Sequence, residues 1–206
     1  MNRAHREIAI GIPVQGGATY AIHTLQTVLR FCSHLSEVVV SLSPSDWEVA
    51  KTMKEIGSSQ LRLIYQDRKL SMKEHFEFVL RELSGEWVTV LGQDDGLLPS
   101  FDISVGNALS AMPGLRAYTF SRAYYWWPGA ASTDASVGRV DFCQSGRHTV
   151  RDSATEIRRV LQGQQQHFNL PQVYTNCLVH QSVVEELKRD GSGLFYQEWS
   201  PDLFSG

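Results

Sequence analysis

The chain has 206 residues, enough for one domain, or one and a fragment, at roughly 100–200 residues per domain. Hydrophobic residues make up 42% and charged residues 20%, ordinary globular usage that excludes a disordered chain and a coiled coil. Nineteen Lys and Arg against 22 Asp and Glu leave a net charge of −3, so global charge does not point to a nucleic-acid partner.

Strand and helix signals alternate from the start. Glu7–Pro13 is short, β-branched and closed by proline, and reads as a strand. Gln15-Gly16-Gly17 is a turn, and Thr19 to Cys32 carries Ile22, Leu25, Val28, Leu29 and Cys32 at helical spacing. Val38–Leu42 is a second strand. Ser45-Asp46-Trp47-Glu48 has the form of a capping box and predicts a helix to about Ile56, ended by Gly57. Leu61–Tyr65 is a third strand. A second box, Ser71-Met72-Lys73-Glu74, opens a helix with Phe76, Val79, Leu80 and Leu83 on one face, closed by Ser84-Gly85. Trp87–Leu91 is a fourth strand.

These strands are too apolar to leave one face wet, which predicts a parallel sheet covered by helices on both sides. Ligands of such sheets bind beyond the carboxyl ends of the strands. Here those ends are Pro13–Gly17, Ser41–Asp46, Gln66–Lys69 and Gly92–Gly96. Beyond Pro99 the pattern loosens. Phe101–Met112 reads as a helix, Pro113-Gly114 as a turn and Ala117–Phe120 as a strand. Tyr124–Trp127 is an aromatic run, Ala130–Val137 a loop and Val140–Cys143 a short strand. A third box at Ser153-Ala154-Thr155-Glu156 predicts a helix to about Gln164, and Ser182–Asp190 reads as another.

Three widely spaced cysteines, Cys32, Cys143 and Cys177, give no disulfide framework. No apolar run approaches the ~18 residues of a membrane span, and the first residues lack the form of a secretory signal. A reducing cytoplasm is the expected location.

The strongest chemical signal is Gly92-Gln93-Asp94-Asp95-Gly96, directly after the fourth strand. Adjacent carboxylates repel by about 1–4 kcal/mol at ~4 Å, depending on screening. An exposed Asp-Gly turn capping the next helix tolerates that repulsion, and a divalent cation exploits it, since hard oxygen ligands suit Mg²⁺ or Mn²⁺. The Pro13-Val14-Gln15-Gly16-Gly17 loop can lay backbone N–H groups against a nucleotide or serve as a plain tight turn. It matches neither a dinucleotide fingerprint nor a P-loop. The seven histidines show no zinc spacing, and no nucleophile elbow is present. The Tyr124–Trp127 run can stack on a sugar or base, or simply pack. Arg147 and Arg151 can meet phosphate or solvent. Asp202, in Ser200-Pro201-Asp202-Leu203, is either a base of raised pKa among apolar neighbours or a turn aspartate bonded to its own backbone.

Taken together, Pro13 after the first strand, Leu70-Ser71-Met72, Gly85-Glu86-Trp87-Val88 and Leu91-Gly92-Gln93-Asp94-Asp95-Gly96-Leu97-Leu98-Pro99 resemble the GT-A glycosyltransferases of family 2. In that family a strand-end Asp-x-Asp or Asp-Asp-Asp motif precedes Leu-x-Pro. The resemblance covers about residues 7–112 and returns at Leu170-Pro171, Val173-Tyr174 and Ser200-Pro201-Asp202. It implies a GT-A, Rossmann-like, mostly parallel sheet. Residues 1–112 would be the nucleotide-sugar-binding half and 113–206 a less regular acceptor-side part of the same domain, truncated in this chain. It implies inverting transfer of a hexosyl group from a nucleoside-diphosphate sugar to a saccharide or other hydroxyl acceptor, with Mg²⁺ or Mn²⁺.

By position, Pro13, Val14 and Gln15 would touch the nucleoside, and Gln93 and Asp94 would lie near the ribose and phosphates. Asp95 would hold the metal, and Asp202 would be the general base. Three departures stand out. Ser41-Leu42-Ser43-Pro44 lacks the carboxylate that reads the base, which is absent or displaced to Asp46 and leaves Ser43 and Asp46 to line the nucleotide. Gln93 replaces the first Asp of the triplet, and His75 an expected Asn. These permit a second reading, a catalytically degenerate module that binds a nucleotide or a partner. A third, nucleotidyl transfer, usually needs a basic residue in the first loop, and Gln15–Thr19 has none. A homodimer is left open.

Overall fold

The structure, a computed structural model, describes residues 6–125, 140–142, 148–167, 170–174 and 176–189. In chain order these form β1 (Ile8–Val14), α1 (Ala18–Phe31), β2 (Glu37–Leu42), a 3-10 turn (Pro44–Val49) running into α2 (Ala50–Glu55), β3 (Leu61–Tyr65), α3 (Met72–Glu82), β4 (Trp87–Val90) and α4 (Phe101–Ala111). Then follow β5 (Ala117–Thr119), β6 (Ala123–Tyr125), β7 (Val140–Phe142), α5 (Ser153–Leu161), β8 (Cys177–His180) and α6 (Gln181–Arg189). No described helix is long and apolar enough to cross a membrane.

The main sheet has six strands in the order β3-β2-β1-β4-β8-β5. The first four run parallel, and β8 runs antiparallel to both β4 and β5. This is the expected mixed α/β architecture of GT-A type. β6 and β7 pair separately as an antiparallel ribbon. Residues alternate along β1 between two cores. Ile8, Ile10 and Ile12 pack with Leu25 and Val28 of α1 and Leu109 of α4. Ala9 faces Leu80 and Leu83 of the α3 side and Val184 of α6. A strand buried on both faces has no room for a polar alternation, hence the continuous Ile-Ala-Ile-Gly-Ile-Pro-Val run. Of the cysteines, Cys32 and Cys177 are buried and free.

Two helix starts differ from expectation. The Ser45 box does not form. Ser43, in extended conformation, precedes Pro44, whose fixed φ starts a 3-10 turn two residues early. The Ser45 hydroxyl then donates to the Asp46 carboxylate (2.7 Å) instead of capping a backbone. In α5 the cap is Asp152 rather than Ser153, its carboxylate accepting from Thr155 N (2.9 Å). That shift turns Glu156 inward, where it accepts from Arg159 (3.0 Å) and Gln165 (2.9 Å). The Ser71 box is present with both of its bonds.

β8 is an element that the sequence pattern does not announce. It is only four residues long and enters between β4 and β5 from a remote part of the chain. Thr89 of β4, almost fully buried, anchors it: the hydroxyl lies 2.8 Å from both the Val173 and the Cys177 carbonyls.

Candidate active site at the switch between β1 and β4

From β1 the chain steps outward through β2 to β3, then returns to place β4 on the other side of β1. The carboxyl ends of β1 and β4 therefore flank the point where strand order reverses, which is where open sheets of this kind bind their ligands. The loop after β1 and the turn after β4 meet at this point.

They are latched together. Gln93 Oε1 accepts from Gln15 N (2.9 Å), and the Gln93 amide packs where a side chain on Gly17 would stand. Thr24, on the buried face of α1, places its hydroxyl 2.9 Å from the Gln93 carbonyl and 2.8 Å from the Asp95 carbonyl. Asp46 reaches in from the 3-10 turn. At 3% exposure its carboxylate faces inward, and both oxygens accept from Gly16 N, at 3.0 and 3.2 Å. Ser43, also buried, donates its hydroxyl to Gln15 Oε1 (3.3 Å). Pro13 and Val14 lie buried at the end of β1, so only their backbone can face a ligand.

The structure thus brings Pro13, Val14, Gln15, Ser43, Asp46, Gln93, Asp94 and Asp95 to one corner of the sheet. Gln15, Ser43, Asp46 and Gln93 are engaged with one another or with loop backbone. Asp94 and Asp95 are exposed. The expected base Asp202, the aromatic pair Trp126-Trp127, Arg147 and the loop at 130–137 lie outside the described residues.

The Asp95 carboxylate sits against Gly92 and Tyr174. A Cβ on Gly92 would lie 2.5 Å from Asp95 Oδ2 and 3.0 Å from the Tyr174 hydroxyl. Loss of water there, with the Asp94 charge beside it, pushes the Asp95 carboxyl above its ordinary range. Burial and the same two carboxylates also raise the Tyr174 phenol, which stays protonated.

Among the described residues no group of three or more His, Cys, Asp or Glu is placed to hold a metal ion. The donor set of Asp94 and Asp95 suits Mg²⁺ or Mn²⁺ all the same, because such ions keep several waters and complete their shell with substrate phosphates. The exposure of both residues leaves room for such waters and phosphates.

Behind the loop lies a second polar group. His75 of α3, 2% exposed, places Nε2 2.9 Å from the Ser41 hydroxyl, which also accepts from the Gln66 amide (2.9 Å). Burial pushes the His75 imidazole down, against smaller opposing pulls from the hydrogen bond at Ser41 and then the Asp46 charge. The reading of motifs along the sequence missed Thr24 and Tyr174 as site residues. Thr24 was findable as a polar residue on the Ala21–Leu25–Val28 face. Nothing in the local sequence puts Tyr174 beside Asp95.

Comparison with known proteins finds no matching family model and no matching curated protein. Several solved structures are similar. A mycobacterial protein is 13% identical with a TM-score of 0.55, over 88% of this chain and 55% of that one. A 4-diphosphocytidyl-2C-methyl-D-erythritol synthase from Anaerococcus prevotii is 14% identical with a TM-score of 0.53, over 94% of this chain and 79% of that one. The mannosyltransferase PcManGT from Pyrobaculum calidifontis, in complex with GDP-Man and Mn²⁺, is 18% identical with a TM-score of 0.46, over 55% of this chain. The match spans only 35% of that mannosyltransferase's length. The first two likenesses establish a shared mixed α/β fold.

Proposed function

We propose that this chain binds a nucleoside-diphosphate sugar at the β1/β4 corner and transfers its hexosyl group, with inversion, to a saccharide or other hydroxyl acceptor, as family 2 GT-A enzymes do. One observation carries the reading. The turn after β4 is latched to the loop after β1 by Gln93 and Thr24, yet its two carboxylates are left exposed. Adjacent like charges at a strand end, where ligands of such sheets bind, favour a cationic or cation-bridged ligand.

In this reading residues 1–112 form the donor half and 113–206 the acceptor side. The Gln15–Gly17 backbone lies along the nucleoside, positioned by Asp46 and Gln93 rather than flanked by free side chains. Asp94 lies by the ribose and diphosphate, and Asp95 holds Mg²⁺ or Mn²⁺. Such a cation, when bound, offsets the charge that develops on the departing diphosphate. Asp202 takes the proton of the acceptor hydroxyl as its oxygen attacks the anomeric carbon.

Calorimetry with UDP, GDP and dTDP, with and without Mn²⁺, tests this. Metal-dependent binding of at least one is expected, and failure of all three overturns the reading. The degenerate-module alternative draws on Gln93 and Asp46, whose polar groups are spent inside the protein. Donor binding without hydrolysis or transfer would favour it.

A further inference from the structure

We infer that Gln93 is a positioning residue for the loop after β1: its side-chain amide, packed on the bare Cα of Gly17, accepts the Gln15 N–H and fixes that loop to the turn after β4. The inference rests on the donor-site reading above and gives the departure at position 93 a role within it. Alternate residues of β1 turn their backbone toward β4, and Gly11, Pro13 and Gln15 belong to that set. The Leu91 N–H reaches the Gly11 carbonyl (2.8 Å). Pro13 comes next and has no N–H to donate, so the ladder between the strands, which pairs Ile8 with Trp87 through Gly11 with Val90, goes no further. Gln15 follows, and its N–H goes to Gln93 Oε1 (2.9 Å). A side chain thus carries the link past the place where the backbone ladder ends.

The orientation of that amide is fixed by its partner. A backbone nitrogen can only donate, so the amide oxygen must face it. Nε2 then points back to the Gln15 carbonyl, at a long 3.5 Å. A Cβ at position 17 would lie 2.1 Å from Nε2 and 2.4 Å from Cδ, a clash that any residue but glycine would bring. Gly17 itself has a φ of −135°, so the demand for glycine there is steric and not conformational. The backbone of Gln93 is held separately. The Thr24 hydroxyl lies 2.9 Å from its carbonyl and 2.8 Å from that of Asp95. The Gln93 side chain therefore serves the loop, and Thr24 serves the turn with its carboxylates. An amide does this without adding a third negative charge beside Asp94 and Asp95.

Gln93→Ala removes the acceptor, and Gly17→Ala drives the amide away from the other side. The test compares three readouts in the wild type, both variants and the double variant: UDP and GDP affinity by calorimetry with Mn²⁺, Mn²⁺ affinity without nucleotide by electron paramagnetic resonance, and Tm. Each single variant should weaken nucleotide binding by about 10-fold, the scale of one lost hydrogen bond. The double variant should bind no more weakly than Gln93→Ala, because the added methyl no longer meets an amide. Mn²⁺ affinity without nucleotide should be unchanged, since Thr24 still holds the turn. Unchanged nucleotide affinity in Gln93→Ala, whatever its Tm, assigns Gln93 a purely structural role and overturns this inference alone. An equal loss of Mn²⁺ affinity, or losses that add in the double variant, overturns it too. A wild type with no Mn²⁺-dependent nucleotide binding overturns this inference together with the donor-site reading.

Discussion

The loop after β1 and the turn after β4 sit side by side but handle their polar groups in opposite ways. Around Gln15–Gly17 the groups are satisfied internally: Gly16 N by Asp46, Gln15 N by Gln93, Gln15 Oε1 by Ser43. In the turn after β4, the carbonyls are tied down by Thr24 while both aspartates are exposed, and loss of water followed by the Asp94 charge pushes the Asp95 carboxyl up. The first arrangement builds a rigid backbone surface. The second keeps a pair of charges at the surface with little internal compensation, the Gly92 backbone being the one group that opposes the rise of the Asp95 carboxyl. Rigid placement of groups the protein leaves unsatisfied is the pattern of a ligand site.

The sharpest way to break this contrast is Asp95→Ala. Metal-dependent nucleotide binding should vanish in calorimetry while Tm does not fall, since relief of the Asp94–Asp95 repulsion favours the fold. A clear loss of Tm would place Asp95 among the structural carboxylates instead. Asp202→Asn should stop transfer in a product assay and leave donor affinity intact, and unimpaired transfer would remove Asp202 as the base. Asp46→Ala should do the reverse of Asp95→Ala in stability. Losing the bond to Gly16 N at a buried site should cost about 1–3 kcal/mol, measured by urea unfolding. Thr24→Val strips the hydroxyl from two turn carbonyls and should cost about 1–2 kcal/mol, with weaker Mn²⁺ binding as a consequence.

The smallest effect concerns a region away from the site. Hydrogen bonds from the Ser71 backbone, then the Arg68 guanidinium, pull the Glu74 carboxyl from 4.5 down to about 2. A lowered folded pKa means stability that is present above the unfolded value and fades as pH falls from 4.5 through about 2. In Glu74→Gln that part of the acid-unfolding curve should flatten.

Much of the fold was legible because its first half obeys local rules. β1, β2 and β4 are continuous apolar runs, and the Ser71 box closes as its residue types require. The boxes at Ser45 and Ser153 misled because competing partners lay next door. Pro44 and Asp46 won the first, and Asp152 won the second. The candidate site was legible only as a place to look, the strand ends, and as a carboxylate pair. Its internal wiring was not. Nothing near Asp46 says that its charge is spent on Gly16, and nothing near Gln93 says that it buttresses Gln15.

By itself the sequence determined the alternation of strand and helix through β4, the two-faced burial of the central strands and the carboxylate pair at the end of β4. These follow from periodicity and chemistry within a dozen residues. Tertiary structure alone decided that β8 would wedge between β4 and β5 and that Asp46 would turn inward. It also decided that Tyr174 would arrive beside Asp95, some eighty residues away in the chain. Those outcomes depend on which distant groups compete for the same hydrogen bonds and the same small volume, and that competition exists only once the sheet has assembled.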